Sequence, residues 1–399
     1  MYEILYCKFL YFHEHFMNSH FDHIVIGVGS MGSSTCYHLA KQGQRVLGLE
    51  QFGIVHEKGA HGGQSRIIRK AYFEHPDYIP LLERAYQNWR EIELASGNKI
   101  YHQTGLFYAG PSGHEIIENI RSAANQFAIP LLDSTKGDSL EVSKSFSLPQ
   151  DYEWLFEPIA GFIKPELAIQ SYVDQAKLLG AEIHDHEKVL SWEVINNLVY
   201  VKTDKGQYTC KKLVVTAGPW SAKLMPSIQD QLSITRQTLM WVQPDNAEMF
   251  QEPEFPCWLV VDKDAPGAYY GFPIVNGDDA RNPIGFKFAY HYPGCQTDPD
   301  QVDRTILPSD SAPLLDFLDK YIPKVKGQVL DIKTCLYSNS RDEHFVIDNL
   351  KGAEESVCYA RGFSGHGFKF VSVIGEIMAD LATKGFTSLP IEFLSAKRF

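Results

Sequence analysis

Between Phe21 and Gly27 the chain is almost continuously apolar and ends on a glycine. Gly32 to Gln42 then carries apolar residues at helical spacing and closes at Gly43, and Arg45 to Glu50 is again an apolar run, this time ending on an acid. Apolar runs of strand length flanking a helical pattern predict a strand, a helix and a parallel strand. Pro76 to Ser96 and Leu167 to Leu179 predict further helices, and Ala181 to His184, Leu198 to Thr203 and Lys212 to Thr216 predict short strands. From Ile234 to Tyr292 the pattern changes to alternating aromatic stretches such as Met240-Trp241-Val242 and Trp258-Leu259-Val260-Val261, which predict an antiparallel sheet. Nucleotide-type signals return at Ser356 to Gly367, ahead of a helix from Phe370 to Lys384.

The first turn reads Gly27-x-Gly29-x-x-Gly32. Glycines at this spacing let a pyrophosphate approach the backbone at a helix N-terminus. Glu50 lies 23 residues after Gly27, close to the interval at which an acid meets ribose hydroxyls, and its charge excludes a 2′-phosphate. NAD and FAD both remain open on this evidence. The fold expected is α/β: a discontinuous Rossmann-like domain from 20–99, 156–230 and 325–395, and a substrate domain on a mainly antiparallel sheet with helices from 100–155 and 231–324. Residues 1–19 read as a leader without a clean secretory pattern, and Met17 is an alternative start.

Composition narrows the function classes. In 399 residues, 44% hydrophobic and 22% charged content is that of a globular enzyme. A net charge of −12 argues against nucleic acid as a partner, and no apolar run approaches the length needed to span a bilayer. Seven scattered cysteines without Cys-x-x-Cys spacing read as reduced thiols. His13-x-His15 and His184-x-His186 have no third ligand nearby, so no metal is expected. The tail Ala396-Lys397-Arg398-Phe399 is not a Ser-Lys-Leu address, which makes the cytoplasm the expected location.

Four segments carry candidate chemistry, and each also has an ordinary reading. Arg66 and Arg69 follow a Gly-Gly step; they suit a carboxylate, or one surface residue and one ion pair. In Gly285 to His291, Lys287 and His291 share one face of a strand, which lines a pocket or faces water. Gly362 to Lys369 contains Gly365 and Gly367, a glycine-rich turn ahead of a helix or a close backbone approach to a ligand. Cys335 and Tyr337 point the same way in a strand, and a lone thiol there is more often a small hydrophobe.

Taken together, these segments resemble the family of monomeric sarcosine oxidase, N-methyltryptophan oxidase and the pipecolate oxidases. The motifs occur in family order from about Phe21 to the end: the glycine turn, Ser65-Arg66-Ile67-Ile68-Arg69-Lys70-Ala71-Tyr72, Tyr269-Tyr270-Gly271-Phe272-Pro273, Cys335-x-Tyr337, Asp342-Glu343-His344-Phe345 and Phe363-Ser364-Gly365-His366-Gly367-Phe368-Lys369. The resemblance implies FAD, with Gly27, Gly29, Gly32, Glu50, Ser65, Val189, Gly365 and Gly367 on the cofactor and Cys335 as its thioether attachment. It implies Arg69 and Lys369 as the grip on a substrate carboxylate and Lys287 as the oxygen-activating lysine. Arg66 would lie near the flavin ring, while Tyr270, His291 and Tyr337 would shape the pocket. The activity implied is oxidation of a secondary α-amino acid to an imine by a monomer, with O2 reduced to H2O2. A dehydrogenase that passes electrons to a carrier is the alternative. One position departs: where bacterial sarcosine oxidases have a second histidine after the one matching His61, this chain has Gly62.

Overall fold

The structure is a computed structural model and describes residues 19–226, 232–275, 281–291 and 294–399. The leader, with Met17, Cys7 and the His13–His15 pair, lies outside the described residues apart from Ser19.

The first expected unit is present. Strand His20–Ile26 pairs in parallel with Val46–Leu49 on one side and with Gln207–Val215 on the other. Helix Ser30–Lys41 joins the first two strands, as a parallel connection requires. Glu182–His184 extends the sheet beyond Val46–Leu49, and Val357–Arg361 adds in parallel to Gln207–Val215. The hairpin Val189–Ile195 and Leu198–Thr203 and the strand Val346–Asn349 complete eight strands among the described residues. Both faces are covered: Ile24, Val25, Leu47, Leu213 and Val214 are fully buried. Each such side chain contributes about 1.5–3 kcal/mol over exposure. Helices Pro165–Leu178 and Val371–Lys384 pack on Ser30–Lys41, and Tyr78–Ser96 packs on Val371–Lys384. There Trp89, fully buried, donates its indole N–H to the Lys369 carbonyl at 2.9 Å.

The second sheet has nine strands among the described residues. Leu232–Pro244, Phe286–His291, Ala268–Gly271 and Cys257–Val260 form the expected antiparallel run. One junction departs from it: Leu106–Pro111 joins Cys257–Val260 in parallel, so the sheet is mixed. A second departure concerns Gly327–Ser340, expected with the nucleotide domain. It pairs from Gly327↔Pro244 to Ser340↔Leu232, and this long antiparallel ladder draws it into the second sheet. Cys335 and Tyr337 are therefore carried on the substrate-side sheet and face the nucleotide-binding one.

The alternation in Phe286–His291 separates two interiors. Phe286 and Phe288 enter an aromatic core in which Trp258 stacks on Phe317 of helix Pro308–Tyr321 at 5.6 Å. Lys287 points to the opposite side and is 1% exposed, so the face that periodicity alone would give to water is a second buried surface. A three-stranded sheet of Arg66–Ile68, Gly161–Ile163 and Tyr101–His102 carries Arg66, and Arg69 follows directly after its first strand.

Candidate active site

A cavity of about 400 Å³ runs from the glycine turn and Glu50 to Cys335 and Tyr337. At its nucleotide end Gly27 has φ +86°, and a Cβ there would lie 2.7 Å from the Ala217 backbone. A Cβ on Gly32 would overlap the Gly27 carbonyl, so Gly32 seats the helix on the strand and does not line the cavity. Gly29 lines it and has only His61 nearby, at 3.7 Å from a Cβ built on it. Helix Ser30–Lys41 has no side-chain cap, which leaves its first amide groups without an intrahelical or side-chain partner. Glu50 is buried; its carboxylate accepts from the Val28 and Phe52 amides, both at 3.0 Å, with His56 Nε2 at 3.5 Å. Val189 and Trp220 line the same end.

The other end is built by the second sheet and the Gly362–Lys369 turn. Cys335, 3% exposed, and Tyr337 both face the cavity, as their spacing predicts. Burial raises the Cys335 thiol above its ordinary range, while the charges of Arg66 and Lys287 oppose that rise. Arg66 is held by carbonyls, donating to Ser65 O at 2.9 Å, Gly62 O at 2.6 Å and Ala60 O at 3.1 Å. Gly365 and Gly367 line the cavity; Gly365 has φ +78°, and a Cβ there would run into the Tyr337 ring.

A smaller cavity of about 70 Å³ abuts this end and shares Arg66, Tyr270, Gly365 and Phe368 with the larger one. Its further walls include Arg69, Lys369, Glu74 and His291. Arg69 is 3% exposed; it donates to both Glu74 oxygens at 2.7 Å and to Ala71 O at 2.8 Å. Burial works against both charges of this pair. The Arg69 guanidinium nonetheless holds Glu74 down at about 2, and Glu74 in turn holds the Arg69 proton more tightly than usual. Lys369 donates to His366 O at 2.8 Å, and burial, followed by the Arg69 charge, lowers it to about 7. His291 shares a hydrogen bond with the Tyr337 hydroxyl at 3.1 Å, and burial lowers it to about 4, so its imidazole is neutral.

Lys287 and Ser65 are placed differently from the other candidates. Lys287 Nζ donates to Gly63 O, to Ser65 O at 2.7 Å and to Ser65 Oγ at 3.2 Å. Lys287 lies behind the 63–65 loop that contains Ser65, and neither residue lines a cavity. Burial, then the nearby Arg66 charge, pushes the Lys287 ammonium well below its ordinary range. Sequence reasoning missed Glu74, His366 and His56, all on loops where no periodicity marks an inward face. For Glu74 the only signal is a single acid within Tyr72-Phe73-Glu74-His75, five residues after Arg69.

Among the described residues no group of histidine, cysteine and acidic side chains could hold a metal, and His184 is engaged by Glu187 at 3.1 Å. The six described cysteines are unpaired, and no described helix is long and apolar enough to cross a membrane.

A cavity with a glycine turn, uncapped helix amides and the buried acid Glu50 at one end fits FAD. The cation-lined pocket at the other end defines an FAD-dependent oxidoreductase of the amine-oxidase type. The model of the FAD dependent oxidoreductase family (DAO) matches residues 22–381, and the chain belongs to that family. It is 38% identical over 390 residues to monomeric sarcosine oxidase from Bacillus sp. (strain NS-129), covering 96% of this chain and 98% of that one. It is 32% identical over 381 residues to N-methyl-L-tryptophan oxidase from Yersinia pestis (strain Pestoides F), covering 95% and 99%. The fold is shared with NikD, an amino acid oxidase of nikkomycin biosynthesis, at a TM-score of 0.81 and 22% identity over 94% of this chain and 97% of that one.

Proposed function

We propose that the protein oxidises a small secondary α-amino acid, such as sarcosine, another N-methyl amino acid or a pipecolate-like ring, to its imine with O2 reduced to H2O2. In this reading it acts as a cytoplasmic monomer with FAD attached through Cys335. The observation that carries the reading is the pairing of Arg69 and Lys369 in a small cavity that shares walls with the cofactor cavity. When bound, FAD accepts two electrons from the substrate C–N unit and passes them to O2.

The chain's own residues divide the remaining work. The Gly27, Gly29 and Gly32 turn and the uncapped helix amides would hold the pyrophosphate, Glu50 the ribose and Val189 the adenine side. Gly365 and Gly367 would admit the ring end, with Ser65 holding Lys287 through its carbonyl and hydroxyl oxygens. Arg69 and Lys369 would take the substrate carboxylate, which displaces Glu74 from Arg69 because both compete for the same N–H groups. Two fixed cations orient the substrate and lower the proton affinity of its ammonium. The neutral amine this favours is the form with a lone pair to drive oxidation. Arg66 would keep positive charge at the ring end, and Lys287 would stabilise charge developing on O2 electrostatically. Tyr270, Tyr337 and the neutral His291 would close the pocket around the N-alkyl group.

The test is the flavin absorbance of the purified protein, mixed anaerobically with sarcosine and then exposed to air. Rapid bleaching followed by rapid return is expected. Bleaching without return would point to a dehydrogenase that needs a carrier. No bleaching with sarcosine, N-methyl amino acids or pipecolate would refute the substrate class.

A further inference from the structure

We infer that Tyr72, locked by His366, is a positioning residue that sets the two carboxylate-binding cations at their working separation. The inference rests on the proposed carboxylate grip and adds a residue pair to it. It also gives a role to the Asp342-Glu343-His344-Phe345 motif, which the cofactor and substrate sites leave unused.

Tyr72 is 1% exposed, and its ring lies beneath both cations. The Arg69 guanidinium carbon is 4.4 Å from the ring centroid and Lys369 Nζ is 5.3 Å from it. Two like charges held close together repel, and each is drawn to the negative face of an aromatic ring. A single ring that both approach therefore offsets their repulsion without adding an anion that would compete with a substrate carboxylate. Phe73 meets Arg69 at 4.0 Å, so the guanidinium is held by rings as well as by Glu74.

The ring is fixed through its hydroxyl. Tyr72 OH is hydrogen-bonded to His366 Nδ1, and His366 Nε2 lies 3.0 Å from Glu343 O. A carbonyl only accepts, so Nε2 carries the proton in the neutral imidazole, Nδ1 accepts, and the tyrosine donates. Burial keeps that imidazole neutral, lowering it to about 3. The backbone carbonyl of the same histidine accepts from Lys369 Nζ at 2.8 Å, so one residue fixes both the ring and one of its cations. Glu343 has φ +63°, a left-handed conformation uncommon for a side chain of its type. Its loop is tied down by Arg398, which donates to Asp342 at 2.7 Å, His344 O at 3.0 Å and Phe345 O at 2.9 Å. A chain of contacts thus runs from Arg398 through the 342–345 loop and His366 to the ring beneath the cations.

The test compares sarcosine with its primary amide in the anaerobic reduction of the holoenzyme, as the ratio of their second-order rate constants. Wild type should strongly prefer the acid. Tyr72→Leu removes the ring, and the acid-over-amide ratio should fall by about 10- to 30-fold, the worth of a desolvated cation–π contact. Tyr72→Phe keeps the ring and removes the lock, and the ratio should fall by about 3- to 10-fold, the worth of one buried hydrogen bond. Loss of packing alone would slow acid and amide equally and leave the ratio unchanged. An unchanged ratio in Tyr72→Phe overturns the lock, and an unchanged ratio in Tyr72→Leu overturns the role of the ring. If Tyr72→Leu does not fold, Tyr72→Phe decides alone. A wild-type protein without preference for the acid overturns the carboxylate grip itself, which separates that failure from failure of the Tyr72 assignment.

Discussion

Replacing Lys369 by methionine should stabilise the fold and weaken substrate binding together. Lys369 is 6% exposed and titrates at about 7 in the folded protein, lowered first by burial and then by Arg69, against an ordinary 10.5. Between those two values the unfolded chain binds the proton and the folded chain does not. Stability therefore rises with pH across that window. The cost of burying the ammonium is fully present below pH 7 and relieved as pH climbs toward 10.5. Its full size is roughly 5 kcal/mol, taking about 1.4 kcal/mol per tenfold of proton affinity. Methionine fills similar space and carries no proton, so the variant lacks this dependence. Urea unfolding at pH 6.5 should show Lys369→Met more stable than wild type. The gap should narrow by roughly 2.5 kcal/mol at pH 9. Glu74 at about 2, His366 at about 3 and His291 at about 4 titrate below that range and do not obscure it. The same variant should bind propionate about 10- to 100-fold more weakly at pH 6.5, because a charge-assisted hydrogen bond is lost. A stability gap that is equal at both pH values, or a variant less stable at both, would refute this account of Lys369.

Other sites give sharper yes-or-no outcomes. Cys335→Ser should release its flavin on denaturation, whereas wild-type flavin should migrate with the chain on a denaturing gel; wild type that releases flavin removes the thioether assignment. Gly365→Ala places a side chain at φ +78° and against Tyr337, and should cost about 1–3 kcal/mol of stability. It should also lower kcat/KM by disturbing the Tyr337–His291 bond, and unchanged kinetics would show that this contact does not shape the pocket. Glu74→Gln removes the internal carboxylate that competes for Arg69. Propionate should then bind more tightly, and weaker binding would mean that Glu74 holds Arg69 in place for substrate.

What the sequence discloses divides along a physical line. The nucleotide half is local: Gly27, Gly29, Gly32 and Glu50 sit in one strand–turn–helix–strand unit, which spacing alone predicts. Helix Tyr78–Ser96 and helix Val371–Lys384 are found because amphipathic periodicity extends over many residues. The substrate half is not local. Periodicity gives Lys287 to the water side of a sheet, and only packing against the 63–65 loop puts it in a second interior. Gly327–Ser340 looks like part of the nucleotide domain by position in the chain, but its pairing with Leu232–Pro244 is a long-range choice that no local pattern records. Glu74, Tyr72 and His366 lie on loops or short segments, where side-chain direction follows tertiary contacts alone.

The site also has a charge economy that only the assembled structure reveals. Four basic side chains, Arg66, Arg69, Lys287 and Lys369, converge beside the pocket, and such a group would ordinarily recruit an equal number of acids. Backbone oxygens do most of that work instead. Arg66 donates to three carbonyls, Lys287 to two carbonyls and a hydroxyl, and Lys369 to one carbonyl. Glu166, whose charge acts on Lys287, directs Oε1 to the Gly63 and Gln64 amides at 2.7 and 3.0 Å. A carbonyl dipole satisfies an N–H group without an opposing charge, while burial lowers the proton affinity of Lys287 and Lys369, so the two guanidinium groups are the ones that stay charged. Among the described residues Glu74 alone pairs directly with one of the four, at Arg69, where a substrate carboxylate would compete with it. In the proposed reading, binding would transfer the Arg69 N–H groups from Glu74 to the substrate carboxylate. Its free energy is set by geometry and by what the rest of the substrate fills, which is why the N-alkyl side of the pocket, and not the charge, should decide among secondary amino acids.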